Sequence, residues 1–309
     1  MPYILLIAAT IFWGGNYVAG KLLVHSINPI FLTELRWSLT AILLFFLYHK
    51  RIKSNFLLIK ENIKIITILS VLGQVLFPVT LYIGLQYTSS LNAAIYMAAT
   101  PAIIILINAS VFKEKINTEK IIGIILSTIG VLFIITKGEF NLIKAFHNMN
   151  HGDLWAIGSA LSWACYCVLL RFKSKKLDAQ AFVTTSAVIS AIIILPILYL
   201  THGFPSYENF GDLSKTLNFN LIAGVTYLVI FPSWLAFVFW NKGTNELGSS
   251  RSGIFTHLIP FFGGVLAIIF LNTEIHNYQL ISAVLISIGI FICSKEKKLK
   301  IKKTHLSKI

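Results

Sequence analysis

Charged residues are scarce in this sequence. They make up 12% of the 309 residues, whereas a soluble domain usually carries about 25%. Hydrophobic residues make up 56%, and this composition excludes an ordinary soluble domain. The net charge of +14 would indicate nucleic-acid binding only if the basic residues formed one patch.

Signatures of several reaction types are also absent. The cysteines Cys165, Cys167 and Cys293 all lie in apolar runs, which suits neither a disulfide framework nor a zinc site. No H-E-x-x-H motif and no catalytic Ser/His or Asp/Asp pair at depth is present, so we do not expect an intramembrane enzyme. No G-x-x-x-x-G-K-[ST] motif occurs, so we expect no use of ATP and no cofactor.

Long apolar runs dominate the chain instead. A run of about 18 or more apolar residues is long enough to cross a bilayer as a helix, and the period-two alternation of barrel strands is missing. We therefore predict an all-α membrane protein with ten transmembrane helices. The runs are 3–22, 29–49, 64–86, 91–112, 119–136, 153–171, 180–201, 218–241, 248–271 and 277–294.

The 26 lysines and arginines predict the orientation of these helices. With a cytoplasmic N-terminus, nearly all of them lie on the cytoplasmic side, where membrane proteins carry their excess of positive charge. Both termini are therefore predicted to be cytoplasmic, and the basic tail fits an anchor near anionic lipid better than a nucleic-acid arm. The exceptions are Lys21, Lys137, Lys144 and Lys215 on the outer side and Arg36 within a span.

The two halves of the chain share one plan. The stretch GLQYTSSLNAAIYMAATP, from Gly84, parallels GTNELGSSRSGIFTHLIP, from Gly243, with glycine and proline at the same separation. IIGIILSTIGVLFI matches LISAVLISIGIFIC at the same offset, and WGGNYVAGKL has an echo in WACYCVLLRF. We divide the chain into a five-helix repeat at 1–137, a linker at 138–152, a second five-helix repeat at 153–294 and a tail at 295–309.

An odd number of spans per repeat inverts the second repeat in the membrane. Inverted repeats recur in secondary transporters, whose substrate site lies near the bilayer midplane where the repeats meet. Pro101 and Pro260 fall at matching positions near mid-depth, so we expect interrupted helices there.

Each half has a first helix with the pattern W-G/A-x-x-x-V, a later helix with a proline followed by an acidic loop residue (Glu114, Glu274), and a closing helix with I-G-V/I. In this order, the motifs resemble the EamA-type transporters of the drug/metabolite transporter superfamily. The resemblance covers nearly the whole chain. It implies a ten-helix fold in the plasma membrane, in bacteria the inner membrane, that moves small metabolites, often outward and often amino acids.

Polar and aromatic residues concentrate at the predicted mid-depth of the helices. Trp13 and Trp163 occupy equivalent places there, away from the interfacial belts where tryptophan usually lies. We predict that these residues line a solute cavity. The alternative is that they only hydrogen-bond and pack against neighbouring helices. The candidate substrate-binding residues are Trp13, Asn16, Tyr17, Gln74, Tyr82, Asn92, Tyr96, Thr100, Trp163, Tyr166, Ser233, Trp240, Asn241, Ser252, Thr256 and His257.

His257 is the strongest single candidate among these residues. A histidine within a span is rare and is a functional hypothesis by default, because its imidazole can pass a proton or, when protonated, bind a carboxylate. Its equivalent in the first repeat is Ala98, so the histidine is not part of the shared scaffold and is a candidate for solute choice.

Two further expectations concern helix packing. Arg36, close to Glu34 in the second span, is expected to form a structural ion pair with a neighbouring helix, and a proton relay is the alternative. Small residues on the fifth and tenth helices, Gly130 and Gly289 among them, predict that these helices pack against protein, either each other or a second subunit.

Aromatic walls with few charges suit an amphipathic solute, such as an amino acid with an apolar side chain. We therefore predict a secondary transporter, more an exporter than an importer, that works by alternating access around the cavity. The alternatives are a flippase for a lipid or lipid precursor and an importer of a vitamin or nucleotide-like metabolite. Expected partners are the solute and membrane lipid, with no nucleic acid and no metal, and both a monomer and a homodimer fit.

Overall fold

Helices make up the whole architecture in the residues that the computed structural model describes, which are 1–114, 118–139, 150–202, 219–247, 252 and 254–294. No strand occurs among these residues, which confirms the all-helical prediction. The helices are α1 Pro2–Leu23, α2 Pro29–Ser54, α3 Phe56–Tyr87, α4 Ser90–Phe112, α5 Thr118–Ile135, α6 His151–Leu169, α7 Ala179–His202, α8 Phe219–Leu247, α9 Leu258–Leu271 and α10 Asn277–Ser294.

The lengths and surfaces of these helices fit a lipid environment. Among the described residues, seven helices are long and apolar enough to cross a membrane, namely α1 to α4 and α6 to α8, and shorter apolar helices lie within α5, α9 and α10. Large apolar side chains cover their outward faces: Phe46 is 75% exposed and Leu200 is 81% exposed. Since such a surface is stable in hydrocarbon and not in water, the chain is an integral membrane protein.

Side chains at the helix starts explain where several helices begin. Asn28 Oδ1 accepts hydrogen bonds from the amides of Ile30 and Phe31, and Pro29 follows at the first position of α2, where its missing N–H costs nothing. The Asp178 carboxylate caps α7 in the same way. Caps of this kind satisfy amides that a helix leaves unpaired at its start.

Two helices contain wide π-helical turns at positions that match when the two halves of the sequence are aligned. These turns are Val71–Leu76 in α3 and Val229–Leu235 in α8. Pro232 lies inside the second turn and cannot donate to the carbonyl of Leu228, four residues earlier. The Ser233 hydroxyl donates to that carbonyl at 2.6 Å instead. Wide turns of this kind are rare and often lie at functional sites.

Helix α4 is interrupted beside Pro101, and a 3-10 turn leads directly into α9 beside Pro260. The first part of α4 ends at Ala98 and the second begins at Thr100, immediately before Pro101. A 3-10 turn, Ile254–His257, precedes α9, in which Pro260 is the third residue. The prediction of interrupted helices at these prolines is therefore confirmed.

Helix contacts follow one pattern in both halves of the chain. Helix α1 packs on α8 and α9, and its equivalent α6 packs on α3 and α4. Two further close pairs join helices that match in the two halves of the sequence, α2 with α7 and α5 with α10. Elements from both halves therefore surround a shared centre.

Small residues bring α5 and α10 into close contact, which confirms the prediction that these helices pack against protein. A Cβ atom added at Gly130 would lie 2.7 Å from a side-chain carbon of Ile286. A Cβ at Gly289 would lie 2.5 Å from the carbonyl oxygen of Gly123 and 2.6 Å from Ser127 Oγ. Helices in lipid associate by such close packing, since lipid tails give them no hydrophobic drive.

Gly289→Ala is expected to destabilise the protein, because the added methyl group meets backbone that cannot move away. The cost is about 1–3 kcal/mol, as for other overpacked cores. Gly158→Ala in α6 is the control, since its Cβ would meet nothing within 4 Å, and there alanine should stabilise the helix by up to about 1 kcal/mol. Thermal unfolding in detergent measures both, and equal effects of the two variants would contradict the tight α5–α10 interface.

Candidate solute-binding site

The stretch WGGNYVAGK in α1 combines side chains that face the centre with glycines that let other helices approach. Trp13 and Tyr17 are 6% and 1% exposed. A Cβ atom at Gly14 would lie 2.8 Å from the backbone nitrogen of Gly263 in α9. The glycines therefore place α1 against other helices while the larger residues of the same helix point inward.

A cluster of aromatic rings fills the centre of the protein. The ring centroids of Trp13 and Trp163 are 5.0 Å apart at an interplanar angle of 75°, and Trp163 stacks on Tyr166 at 4.8 Å. Trp240 and Phe237 of α8 lie 5.1 Å and 5.6 Å from Trp13. The equivalent tryptophans of the two halves therefore meet in one cluster, which we call the aromatic cluster.

A small cavity lies beside the aromatic cluster. Its volume is about 10 Å³, which is roughly the room that one water molecule needs. Within the described chain, the Tyr17 hydroxyl and the Trp163 indole Nε1 are buried without a hydrogen-bond partner. The residues that line this central cavity are Trp13, Asn16, Tyr17, Phe77, Met97, Trp163 and Ile259.

The two wide turns hold the first helix of the opposite half by their backbone carbonyls. Trp13 Nε1 donates to the carbonyl of Pro232 at 3.1 Å. Ser162, next to Trp163 in α6, donates to the carbonyl of Leu72 at 2.7 Å. Each wide turn therefore fixes a helix that carries an aromatic wall of the cavity. The donors differ, because α1 uses the indole N–H of Trp13 and α6 uses the hydroxyl of Ser162.

A buried arginine lies next to the central cavity. Arg36 of α2 is 2% exposed. Its Nε donates to Ser233 Oγ at 2.5 Å, and its Nη1 donates to Asn16 Oδ1 at 2.9 Å and to the Tyr82 hydroxyl at 2.7 Å. The Tyr82 hydroxyl itself donates to Asn16 Oδ1 at 2.9 Å. We call these four residues the arginine network; they join α1, α2, α3 and α8.

The expected ion pair of Arg36 is not found among the described residues, where the salt bridges are Arg51 with Asp178 and Arg171 with Glu114. The nearby acid in the sequence, Glu34, accepts a hydrogen bond from Ser38 instead. The expectation was wrong because α1, α3 and α8 present neutral oxygen acceptors to the guanidinium. A hydroxyl or amide oxygen cannot be recognised from sequence as an arginine partner.

Half of the candidate residues from the sequence lie in the central cavity, the aromatic cluster or the arginine network. Trp13, Asn16, Tyr17 and Trp163 line the central cavity, Tyr166 and Trp240 belong to the aromatic cluster, and Tyr82 and Ser233 belong to the arginine network. Their role in binding a solute stays a prediction.

Gln74 and Asn241 do not line the central cavity. The amide oxygen of Gln74, in the wide turn of α3, accepts a hydrogen bond from Ser190 of α7 at 2.9 Å. The Asn241 amide donates to the carbonyl of Phe237 at 2.8 Å. Both are buried, and neither is among the residues that line the cavity.

The candidates on α4 and near α9 are more scattered. Asn92 accepts a hydrogen bond from Gln279 of α10 at 2.6 Å, and Tyr96 lines a second cavity of about 160 Å³ between α4, α5 and α6. The Thr100 hydroxyl donates to the sulfur of Met97 at 3.0 Å. Ser252 and Thr256 are buried, and the side chain of His257 lies outside the described part of the chain.

Sequence reasoning missed Arg36, Phe77, Met97, Phe237 and Ile259 as site residues. The last four are apolar and look like ordinary core residues in a sequence. Arg36 carried a signal, because a charge within a span is a functional hypothesis by default. It was set aside because a structural ion pair was expected to explain it.

Two basic residues near the C-terminal ends of α1 and α6 contact the ends of other helices. Lys21 Nζ, near the end of α1, donates to the carbonyls of Leu85 and Thr88 at 2.7 Å and 2.9 Å. Arg171 follows α6 and lies 3.1 Å from Glu114. Lys21 comes eight residues after Trp13, as Arg171 does after Trp163. We call the two contacts the Lys21 latch and the Arg171 latch.

Comparison with known proteins agrees with this architecture. The profile of the EamA-like transporter family matches residues 1–136 and 150–295. The chain belongs to this family. It is therefore a member of a transporter family of the drug/metabolite transporter superfamily, as the sequence motifs predicted.

The similar relatives span nearly the whole chain of this EamA-family member. The "Uncharacterized transporter YyaM" of Bacillus subtilis is 27% identical over 94% of this chain and 93% of its own length. The "Probable amino-acid metabolite efflux pump" of Salmonella typhimurium is 25% identical over 93% of both chains. A solved crystal structure matches with a TM-score of 0.64 over 94% of each chain at 16% identity, which shows the fold alone.

Proposed function

We propose that this EamA-family protein is a secondary transporter that moves small metabolites such as amino acids by alternating access around the central cavity. The observation that carries the proposal is the meeting of Trp13 and Trp163, equivalent residues of the two halves, beside a buried cavity. In the wall of this cavity, the Tyr17 hydroxyl and the Trp163 indole N–H have no hydrogen-bond partner. A central site shared by two repeats is the arrangement that secondary transporters use.

We further propose a ten-helix fold of two inverted five-helix repeats, in the plasma membrane, with both termini cytoplasmic. The matched wide turns in α3 and α8 and the matched helix contacts of α1 and α6 support the repeat. The basic loops support the orientation. In this arrangement, the Lys21 latch lies on the outer side and the Arg171 latch on the cytoplasmic side.

The central cavity is too small for a metabolite in the present conformation. Sites for drug-sized ligands enclose roughly 300–1,000 Å³, whereas this cavity has a volume of about 10 Å³. Binding therefore requires the aromatic rings to move apart, together with the helices that carry them. The wide turns and the interruptions of α4 and α9 are the places where the backbone can bend.

Amino acids with apolar side chains are the solutes that the site suits best. The cavity wall is aromatic, and a relative is named as a probable amino-acid metabolite efflux pump. No acid lines the central cavity among the described residues, so a solute with a net positive charge lacks a counter-charge there. Outward movement is proposed because that relative is named as an efflux pump.

Uptake and efflux by purified protein in liposomes test this function. We expect accelerated exchange of a labelled amino acid with an apolar side chain when the unlabelled solute is present on the opposite side, with and without a pH gradient. Liposomes with the Trp13→Ala/Trp163→Ala protein are the matched control. Exchange no faster than in this control, for amino acids, vitamins and nucleotides alike, would sink the proposal.

A flippase for a lipid or lipid precursor is a second candidate, because the 160 Å³ cavity between α4, α5 and α6 is almost entirely apolar. Leu106 and Thr128 in its wall are also exposed on the outer surface, so the cavity reaches the lipid-facing side. A fluorescent lipid in the same liposomes separates the two functions. The main proposal requires that lipid redistribution between the leaflets be unchanged by the protein.

A further inference from the structure

Arg36 carries a permanent positive charge in the part of α2 that lies within the membrane. Its guanidinium cannot lose its proton in a protein, and only 2% of the residue is exposed. All three hydrogen-bond partners of its Nε and Nη1, namely Ser233, Asn16 and Tyr82, are neutral. Among the described residues, no carboxylate lies within 4.0 Å of the guanidinium.

A buried charge without a counter-charge is costly even when its hydrogen bonds are made. Neutral oxygens satisfy the donors, but they leave the net charge in a low-dielectric medium. An anion that reached the guanidinium would gain a charge-assisted hydrogen bond, which is about twice as strong as a neutral one. An anion from outside the chain would therefore be stabilised at the arginine network.

Asn16 connects the arginine network to the central cavity. The same side chain lines the cavity and accepts the hydrogen bonds of Arg36 and Tyr82 on its oxygen. A solute in the cavity that displaced the Asn16 amide would take over two donors at once, Arg36 Nη1 and the Tyr82 hydroxyl. A planar carboxylate has two acceptor oxygens that suit such a pair.

We propose that Arg36, with Asn16 and Tyr82, binds the carboxylate of the solute while the aromatic cluster holds an apolar body. The proposal rests on the transport function and names the chemical class of its solute: a carboxylate joined to an apolar group. Binding opens the contact between Asn16 and Arg36 and so couples the solute to the movement of α1 against α2. No covalent step is involved.

Two kinds of molecule share this chemistry, an amino acid and the corresponding acid without its amino group. An ammonium group would find no carboxylate among the residues that line the cavity, but it could lie on the faces of Trp13 and Trp163. Phenylalanine represents the amino acids, and 3-phenylpropanoate represents the acids without an amino group. Phenylalanine amide and 3-phenylpropanamide are matched probes without a carboxylate.

Binding of these four probes to the purified full chain in nanodiscs tests the proposal without any mutation. We measure the quenching of tryptophan fluorescence, since tryptophans line the cavity, and the shift in thermal stability. At least one of the two carboxylates should bind at least about tenfold more tightly than its amide. Equal binding of acids and amides, or tighter binding of the amides, would overturn the role of Arg36.

Variants of one helix provide the matched comparison. Arg36→Gln should remove the preference for acid over amide, and Arg36→Lys should keep a weaker preference, because lysine retains the charge without the planar geometry. Arg51→Gln, an exposed arginine further along α2, should leave it unchanged. An Arg36→Gln protein that folds and still prefers acids by the wild-type factor contradicts the proposal.

Asn16→Asp keeps the test decisive if Arg36→Gln fails to fold. The new carboxylate has the size of the amide and would serve as an internal anion for Arg36. We expect a higher melting temperature and the loss of acid binding, with binding of the amides retained. Acid binding as tight as in the wild type would overturn the proposal, whereas failure of transport with intact acid binding would count against the transport function alone.

Discussion

Trp13→Ala is expected to lower solute exchange at least about tenfold per folded molecule, since truncating a buried tryptophan at a binding site commonly costs 2 kcal/mol or more. The indole packs against Trp163, Phe237 and Trp240, so its loss removes the shared wall of the cavity. Its Nε1 also holds the carbonyl of Pro232 in the wide turn of α8. Both the wall and the helix that carries Ser233 are therefore affected.

Two further variants separate these contributions. Trp13→Phe keeps an aromatic wall but leaves the Pro232 carbonyl without its donor, which costs about 1–3 kcal/mol, so an intermediate loss of exchange is expected. Trp155→Ala in α6 is the control, because Trp155 is 41% exposed on the outer face. Exchange by Trp13→Ala equal to that of Trp155→Ala, measured per folded molecule, would show that the aromatic cluster is only a packing core.

Lys21→Met is expected to favour the state that is open to the outside. The Lys21 ammonium donates to the carbonyls of Leu85 and Thr88 and so holds the end of α1 to the end of α3. A hydrogen bond from a charged group contributes about 1.5–3 kcal/mol. Its loss should shift the ratio of outward-open to closed protein by about tenfold or more.

The rate at which an impermeant reagent modifies a cysteine placed at Met97 in the cavity measures this shift. Lys21→Met should raise the rate from the outer side and lower it from the cytoplasmic side. Lys53→Met, an exposed lysine of α2, should change neither rate. If Lys21→Met accelerated modification from the cytoplasmic side instead, the assignment of the outer latch would be wrong.

Much of the fold follows from patterns that recur in the two halves of the sequence. Long apolar runs predicted the helices, since only a helix satisfies its backbone within lipid. The matched prolines Pro101 and Pro260 predicted the interruptions of α4 and α9. The wide turns were not predicted, because nothing in VLGQVL distinguishes a π turn from an α turn, and in α8 the decisive contact is made by Ser233 with Leu228.

The site was predicted in part. Equivalent tryptophans indicated a shared centre, because tryptophan usually lies at the membrane–water interface and is unusual at mid-depth. The partners of Arg36 could not be predicted, since they come from three other helices and carry no charge. Asn92 showed the opposite difficulty: its amide fits a cavity wall by spacing, but Gln279 of α10 lies close enough to bind it.

The accessibility of a single cysteine at Met97, in a protein whose own three cysteines are replaced by serine, tests the central claim most directly. We expect the cysteine to react with an impermeant reagent from each side of the membrane, and the transported solute to shift the two rates in opposite directions. A reference cysteine at Lys53 should react from the cytoplasmic side only. A Met97 cysteine that reacts from neither side while exchange continues, or from both sides with rates that rise together, would contradict alternating access through this cavity.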